Sequence, residues 1–229
     1  KAFAKLAEKI IWTPIEFISD TPGKNNYKYI MGGGGVTTQK LAQLVENAQT
    51  QIVIQSPYLV MSRQAKALFK RALKRGVKVR INTNSLASTD NVEAFSGYRN
   101  QRDQLIKMGI EIYEYKPDPQ IKQKLLQHVL PKDAKPPVFA IHAKSMVVDN
   151  KTVFIGTFNF DPRSQNLNTE VGVIVQNEAL ASNVQSAIEA DMQTENSWNA
   201  ATDNPDQYAT GAKRRKVAAL QLTPIKPLL

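Results

Sequence analysis

The 229-residue chain has no cysteine and only two histidines, His128 and His142. Disulfides, thiolate catalysis and cysteine-ligated zinc are excluded, and too few imidazoles remain for a polyhistidine metal site. No metal or cofactor is implied by the residues present. The absence of cysteine suits a reducing compartment. No apolar run approaches the roughly 20 residues that cross a bilayer, and no leader of charged, apolar and small residues is visible. The first residue is Lys1 rather than Met, which reads as a fragment or processed product with a partner half elsewhere. Aromatic residues make up 7%, and no stretch interleaves them with basic residues to form a base-stacking platform. Nucleic acid is therefore not the expected partner.

What the chain does have is an ordinary globular content of hydrophobic residues, 42%, and enough length for one domain with a sizeable core. Thirty Lys+Arg stand against twenty Asp+Glu, a formal charge of +10. Such a surface favours nucleic acid, acidic lipid or a phosphorylated substrate, and charge alone does not choose among them.

Residues 1–14 read as an N-terminal linker, with an amphipathic helix over 1–12. Residues 13–35 read as an extended lead-in and a loop containing Gly32 to Gly35. No Gly-Lys-Ser/Thr follows those glycines, so they do not form a phosphate cradle of the usual kind. Helix and strand then alternate. Thr37 or Thr38 caps a helix to about residue 48, and 51–55 is a short buried strand. A basic helix over 62–75 stops at Gly76, with a strand over 77–82 after it. A helix over 92–108 stops at Gly109, followed by a strand over 110–115. This alternation predicts an α/β domain over 15–200, a mixed β-sheet flanked by helices. Residues 116–137 break the pattern with Pro117, Pro119, Pro131, Pro136 and Pro137. Within them Ile121, Leu125, Leu126, Val129 and Leu130 keep helical spacing, as a helix packed on its own domain or one touching a membrane. Residues 138–148 and 152–157 read as a hairpin, 169–176 as a strand and 178–194 as a closing helix. Beyond residue 196 the chain is expected to be polar and loop-like. In the basic tail, 201–229, the Lys213–Lys216 run is a solvated patch or a lipid or nucleic-acid contact.

The chemistry concentrates in one segment. Residues i and i+2 of a strand share a face, so His142 pairs with Lys144, and Thr157 with Asn159. A two-residue loop at Asn150-Lys151 would set Lys144 opposite Thr157 and His142 opposite Asn159, about 5 Å apart. That count holds only without a bulge, because a one-residue slip exchanges the faces. Gathered in this way, Lys144, Asn159 and Thr157 supply donors to the oxygens of a phosphodiester and stabilise charge developing at phosphorus. His142 can attack phosphorus or protonate the leaving oxygen. Glu170 can hold one ring nitrogen of His142. His128 has no Lys two residues on and reads as packing.

His142-x-Lys144, Asp149, Gly156-Thr157-x-Asn159 and Glu170 together resemble the HKD motif of the phospholipase D superfamily. Thr157 stands where that family usually has Ser, and the hydroxyl is kept. Phe158 to Ser164 and Leu167 to Glu170 resemble bacterial cardiolipin synthases more narrowly. So do Gln55 to Tyr58 and Lys74 to Val77 upstream. The resemblance covers about 15–195 and matches the second of two similar halves, each of which gives one HKD motif to a shared cleft. It implies a phosphatidyltransferase working through a phosphohistidine, without metal, with Asp149 supporting the local fold. It implies an anionic, phosphatidylglycerol-like phospholipid as substrate and the cytoplasmic face of a bacterial membrane as location. It also implies a partner carrying a second HKD motif, either a missing N-terminal half or a twin chain. Alone, the chain is expected to be inactive or weak. Arg163 binds a lipid phosphate or pins its loop, and Ser56 and Tyr58 are candidates to line the cleft. Two alternatives stay open: a homodimeric phosphodiesterase or nuclease of the same superfamily, and a non-catalytic lipid-binding module.

Overall fold

The computed structural model describes residues 10–24, 34–126 and 137–222. In chain order the elements are β1 (Glu16–Ser19), α1 (Val36–Asn47), β2 (Gln51–Gln55), α2 (Arg63–Lys74), β3 (Lys78–Asn84), α3 (Val92–Arg99) and α4 (Arg102–Lys107). There follow β4 (Glu111–Tyr115), α5 (Gln120–Leu126), β5 (Ser145–Val148), β6 (Thr152–Gly156), α6 (Pro162–Asn166) and β7 (Val171–Gln176). The chain closes with α7 (Glu178–Met192), β8 (Ser197–Asn199), a 3-10 turn (Pro205–Tyr208) and α8 (Gly211–Gln221). Among the described residues the strands form one eight-stranded sheet in the order β1-β7-β6-β5-β2-β3-β4-β8. β2, β3 and β4 run parallel, and the other pairings are antiparallel. The expected mixed sheet flanked by helices is what the chain forms.

The pattern of β2 shows why. Ile52, Val53 and Ile54 have no exposed surface, as a strand covered on both faces requires. Ile52 and Ile54 join a core with Leu41 and Val45 of α1, Phe69 of α2, Phe95 of α3 and Val217 of α8. Val53 points the other way, to Val147, Val153 and the α7 residues Ala181, Ile188 and Met192. One helix, α7, thus covers the second face over the central strands. Toward the β1 edge that face is bare among the described residues. Phe17, Val173 and Ile155 are directly opposed there on successive strands, with Phe17 66% and Ile155 45% exposed.

Several local expectations are corrected. The lead-in contains an edge strand, β1, that joins the sheet antiparallel to β7. The helix expected over 92–108 is two helices, broken between Arg99 and Arg102. The break turns Arg102 inward to the buried Glu114 at 2.8 Å and to Asp206 at 2.9 Å. The tail is not loop-like. β8 pairs with β4, and α8, capped by Thr210, seats Val217 in the core. Within the basic run Lys213 donates to the Ala87 and Thr89 carbonyls at 3.0 and 2.8 Å, and Lys216 pairs with Glu93 at 2.6 Å. Most of the expected helix over 1–12, the glycines at 32 and 33, and His128, Val129 and Leu130 lie outside the described residues.

The topology sets one end of the sheet apart. β2, β3 and β4 finish there, β5 and β7 begin there, and β6 ends there. At the β5–β2 boundary the strand order reverses, running outward through β3 and β4 on one side and β6 and β7 on the other, the kind of switch point where α/β sheets bind ligands.

Candidate active site

The hairpin that carries the histidine differs from the simple count. Asp149 and Asn150 both have φ of 53°, and the Lys151 amide donates to the Val148 carbonyl at 3.0 Å. Val148 then pairs with Thr152, so the loop holds three residues, 149–151, and the register is displaced by one. Lys144 lies level with Gly156, whose amide donates to the Lys144 carbonyl at 3.1 Å, and not with Thr157. The regular strand starts only at Ser145, so the pleat does not orient residues 142–144. Their positions come from the loops that meet at the sheet end.

Asn84, the last residue of β3, does much of that positioning. Its Nδ2 donates to the Ile141 carbonyl at 3.0 Å, and the Ile141 amide donates to its Oδ1 at 2.7 Å. Next to this clamp His142 is exposed. Among the described residues its imidazole has no hydrogen-bond partner, and Lys144 Nζ donates to its carbonyl at 2.8 Å. Burial pulls the Lys144 ammonium below its ordinary pKa, against the attraction of the Glu170, Asp90 and Asp161 carboxylates around it. A partly dehydrated cation of this kind is held ready for an anion.

Glu170 does not hold the His142 ring, as expected, but accepts the Thr157 hydroxyl. That hydroxyl also accepts from the Val171 amide at 3.0 Å. Glu170 is itself fixed from behind, where its amide donates to Asp20 at 3.0 Å and its carbonyl accepts from the Asp20 amide at 2.8 Å. Lys24 closes this hub, donating to Asp20 at 2.7 Å and to the Ser164 and Asn168 carbonyls at 2.6 and 3.1 Å. The pair is inaccessible to water, with side-chain exposures of 3% and 0%. A Cβ on Gly35 would lie 2.1 Å from Asp20 Oδ1, so only glycine leaves room for the Asp20 carboxylate beside the start of α1.

After β6 the chain turns through Thr157 to Asp161. The Asn159 amide donates to Ser164 Oγ at 3.1 Å, and Asp161 caps α6 by accepting from the Ser164 amide at 2.7 Å. The Asn159 side-chain Oδ1 is buried without a hydrogen-bond partner among the described residues. Burial raises the Asp161 carboxyl, with the nearby Glu170 adding to the effect.

Asn159, Asp161, Arg163 and Asn168 line a cleft of about 400 Å³ with Tyr58, Asn91 and Glu93. Tyr58 is thus in the cleft wall, its hydroxyl on Asp90 at 3.2 Å. Arg163 is exposed at the cleft, and no hydrogen bond ties its guanidinium to its loop among the described residues. Ser56, expected to line the cleft, is fully buried. It donates to the Tyr58 carbonyl at 2.8 Å and accepts from the Phe160 amide at 3.4 Å, bracing the cleft from behind. Asp149 lies at the far end of β5 and accepts from the amides of Gln49, Thr50 and Gln51 and the Thr50 hydroxyl at 2.8–3.0 Å.

The sequence reading did not find Asn84, Asp20, Lys24 or Asp161. The signal for Asn84 was the polar run Asn82-Thr83-Asn84 closing a strand that alternates Lys78, Val79, Arg80 and Ile81, and for Asp161 the Asp-Pro that opens a helix. Asp20 and Lys24 carried no signal, because apart from each other and Thr37 the partners of their side chains lie 140 or more residues away.

Comparison with known proteins gives the family. A family model described as "Cardiolipin synthase, PLD-like domain" matches residues 41–192. The chain belongs to this family. Cardiolipin synthase C of Escherichia coli K12 is 37% identical to this chain over 172 residues, which cover 75% of this chain and 35% of that protein. The minor cardiolipin synthase ClsB of Bacillus subtilis is 29% identical over 166 residues, 72% of this chain and 35% of that protein. The chain therefore spans about a third of the length of these relatives. Among solved structures, Nuc of Salmonella typhimurium, a phospholipase D family member, shares the fold at a TM-score of 0.55 and 18% identity. The match covers 82% of this chain and 99% of Nuc. Phosphatidylserine synthase of Haemophilus influenzae matches at 0.59 and 14% identity, over 95% of this chain and 48% of its own. No helix among the described residues is long and apolar enough to cross a membrane.

Proposed function

We propose that this PLD-like domain is one lobe of a phosphatidyltransferase of the cardiolipin synthase type, acting on the phosphodiester of an anionic phospholipid. The observation that carries the reading is the placement at one sheet end of His142, whose imidazole has no partner among the described residues, of a partly dehydrated Lys144 close to the Glu170, Asp90 and Asp161 carboxylates, and of Asn159 in the cleft wall, where its Nδ2 can donate to a phosphate oxygen. The 37% identity to a cardiolipin synthase favours lipid over other phosphodiesters.

The reaction needs two imidazoles. One attacks phosphorus as the other, protonated, gives its proton to the leaving alcohol oxygen, and the P–O bond breaks. The second imidazole then takes the proton of an acceptor alcohol, whose oxygen attacks phosphorus and breaks the P–N bond. In this chain His142 takes the acid–base part if the domain is the second half of a two-lobed enzyme. Lys144, Asn159 and Arg163 hold non-bridging oxygens and neutralise charge in the transition state. Glu170 and Thr157 hold the loop between β6 and β7, and Asp149 holds the hairpin's far end. The other imidazole comes from a second lobe or a second copy. The place of action is the cytoplasmic face of a bacterial membrane, where +10 of formal charge favours anionic lipid.

The single-lobe size of Nuc, 99% covered, supports a second reading, in which two copies of this chain complete one site for a phosphodiester in nucleic acid. Both readings are tested together. The chain and a His142→Ala variant are incubated, alone and with the lobe that completes the site, with labelled phosphatidylglycerol vesicles and separately with single- and double-stranded DNA. His142-dependent lipid turnover is expected only with the second lobe. DNA cleavage without lipid turnover transfers the assignment to the second reading. Full lipid turnover by His142→Ala removes the catalytic role.

A further inference from the structure

A second concavity, also about 400 Å³, lies between α1 and α2 on the sheet face opposite α7. Its walls are Leu41, Ala42 and Val45 of α1, Ala65, Leu68 and Phe69 of α2, and Phe158 and Phe160. Leu41, Val45 and Phe69 are at most 4% exposed, so they form the floor. Thr38, Gln39, Ser62, Gln64 and Gln165 border it, with Arg71 and Asp161 also in its lining, so polar groups ring an apolar floor. Protein interiors are close-packed, and an apolar hollow of this volume has the size of a ligand site rather than of a packing defect.

The groove is joined to the candidate active site by one loop. Phe158 and Phe160 face the groove, Asn159 between them faces the cleft, and Asp161 lines both. A molecule with its phosphate at Asn159 therefore has the apolar groove on the other side of the Phe158–Asp161 loop. Of the chemical parts of a phosphodiester substrate, a hydrocarbon chain best suits a floor of Leu, Val, Ala and Phe, with the polar rim left at the groove's edge. A sugar or a base would leave its hydrogen-bonding groups unpaired there.

We infer that this groove seats one acyl chain of the phospholipid whose phosphodiester lies in the cleft. The inference rests on the lipid reading above and extends it. Each methylene placed there leaves water, contributing to binding in proportion to the area covered. The acyl chain is thus gripped by α1 and α2 while the headgroup end stays at the sheet end.

The test uses the full chain and phosphatidylglycerol vesicles in which one acyl chain carries a diazirine. After photolysis, digestion and mass mapping, labels are expected on 41–45, 65–69, Phe158 and Phe160. In Ala42→Phe and Ala65→Phe, which fill the groove, labelling of these segments should fall about tenfold or more. A melting temperature taken for each variant shows that it is folded, and the second variant serves if the first is not. Labels confined to other surfaces overturn the inference. So do labels on the groove that both filled variants keep. Photolysis adducts joining the groove to residues 25–33 or to a second copy, in place of lipid adducts, overturn it as well by naming another occupant. Labelling needs no turnover, so it reports on the groove even where the His142-dependent activity proves absent.

Discussion

Asn84 holds the backbone of Ile141 with both ends of its amide, donating at 3.0 Å and accepting at 2.7 Å. The contact imitates a pair of ladder hydrogen bonds where the ladder has run out, and it fixes the residue before His142. Asn84→Ala leaves a buried amide and a buried carbonyl of Ile141 without partners. A loss of about 1–3 kcal/mol in denaturant unfolding is expected. Because His142 is then held loosely, kcat of the completed enzyme should fall by about 10–100-fold with KM little changed. An equal loss with KM alone would place Asn84 in substrate binding instead.

Lys144 gives a pH prediction. Burial lowers its pKa, and the surrounding carboxylates only partly restore it. If the ammonium must be charged to hold a phosphate oxygen, activity falls as pH rises through that lowered value, below the ordinary lysine range. Lys144→Arg keeps charge at all working pH. Its activity should be lower, and its alkaline limb should move to higher pH. A limb that stays in place in the variant would assign it to another group.

Asp149 is a matter of stability. Burial opposes its ionisation, but the Gln51, Thr50 and Gln49 amides outweigh burial and hold its carboxyl below the ordinary value. A depressed carboxylate contributes stability above its unfolded pKa, about 3.9, and loses it as pH falls through the folded value. Asp149→Asn should cost about 1–3 kcal/mol at neutral pH. The gap to wild type should close in the acid range, as followed by urea midpoints from pH 3 to 7.

Arg102 should matter more than its distance from the site suggests. The Glu114 side chain beside it has no exposed surface, and one of its oxygens lacks a partner among the described residues. Removing the guanidinium leaves that carboxylate buried without a counter-charge. Arg102→Met is expected to destabilise by about 3–5 kcal/mol. Arg71→Ala, which breaks an exposed pair with Glu46, should leave the unfolding midpoint unchanged. Equal effects would mean that burial does not govern these pairs.

The α/β architecture was legible because β2 and the strands beside it are short apolar runs between helices, and both periodicities survive into the structure. His142, Lys144 and Asn159 were legible because their spacing is dense within 18 residues. Their mutual placement was not legible. Whether Asp149-Asn150 or Asn150-Lys151 turns the hairpin depends on two residues adopting positive φ, and either pair offers an asparagine. That choice moved the partner of Lys144 by one residue, while the separate pairing of β6 with β7 set Thr157 beside Glu170 and Val171. The tail was misread for a different reason. α8 has a polar, basic sequence, and it is held by Val217 and by Lys213 reaching two carbonyls of a loop 124–126 residues away.

The bare stripe of Phe17, Val173 and Ile155 bears on how the molecule behaves in solution rather than on how it folds. Apolar area stabilises a fold only where water leaves it, and two-thirds of Phe17 stays wet. These side chains count toward hydrophobic content while lending the native state little. Between molecules the stripe attracts, and the surplus of ten positive charges repels over a distance that salt shortens. With that stripe bare among the described residues, self-association of the chain is expected to rise with salt, which light scattering over a salt series checks. That is the reverse of what a protein held apart only by polar surface would show.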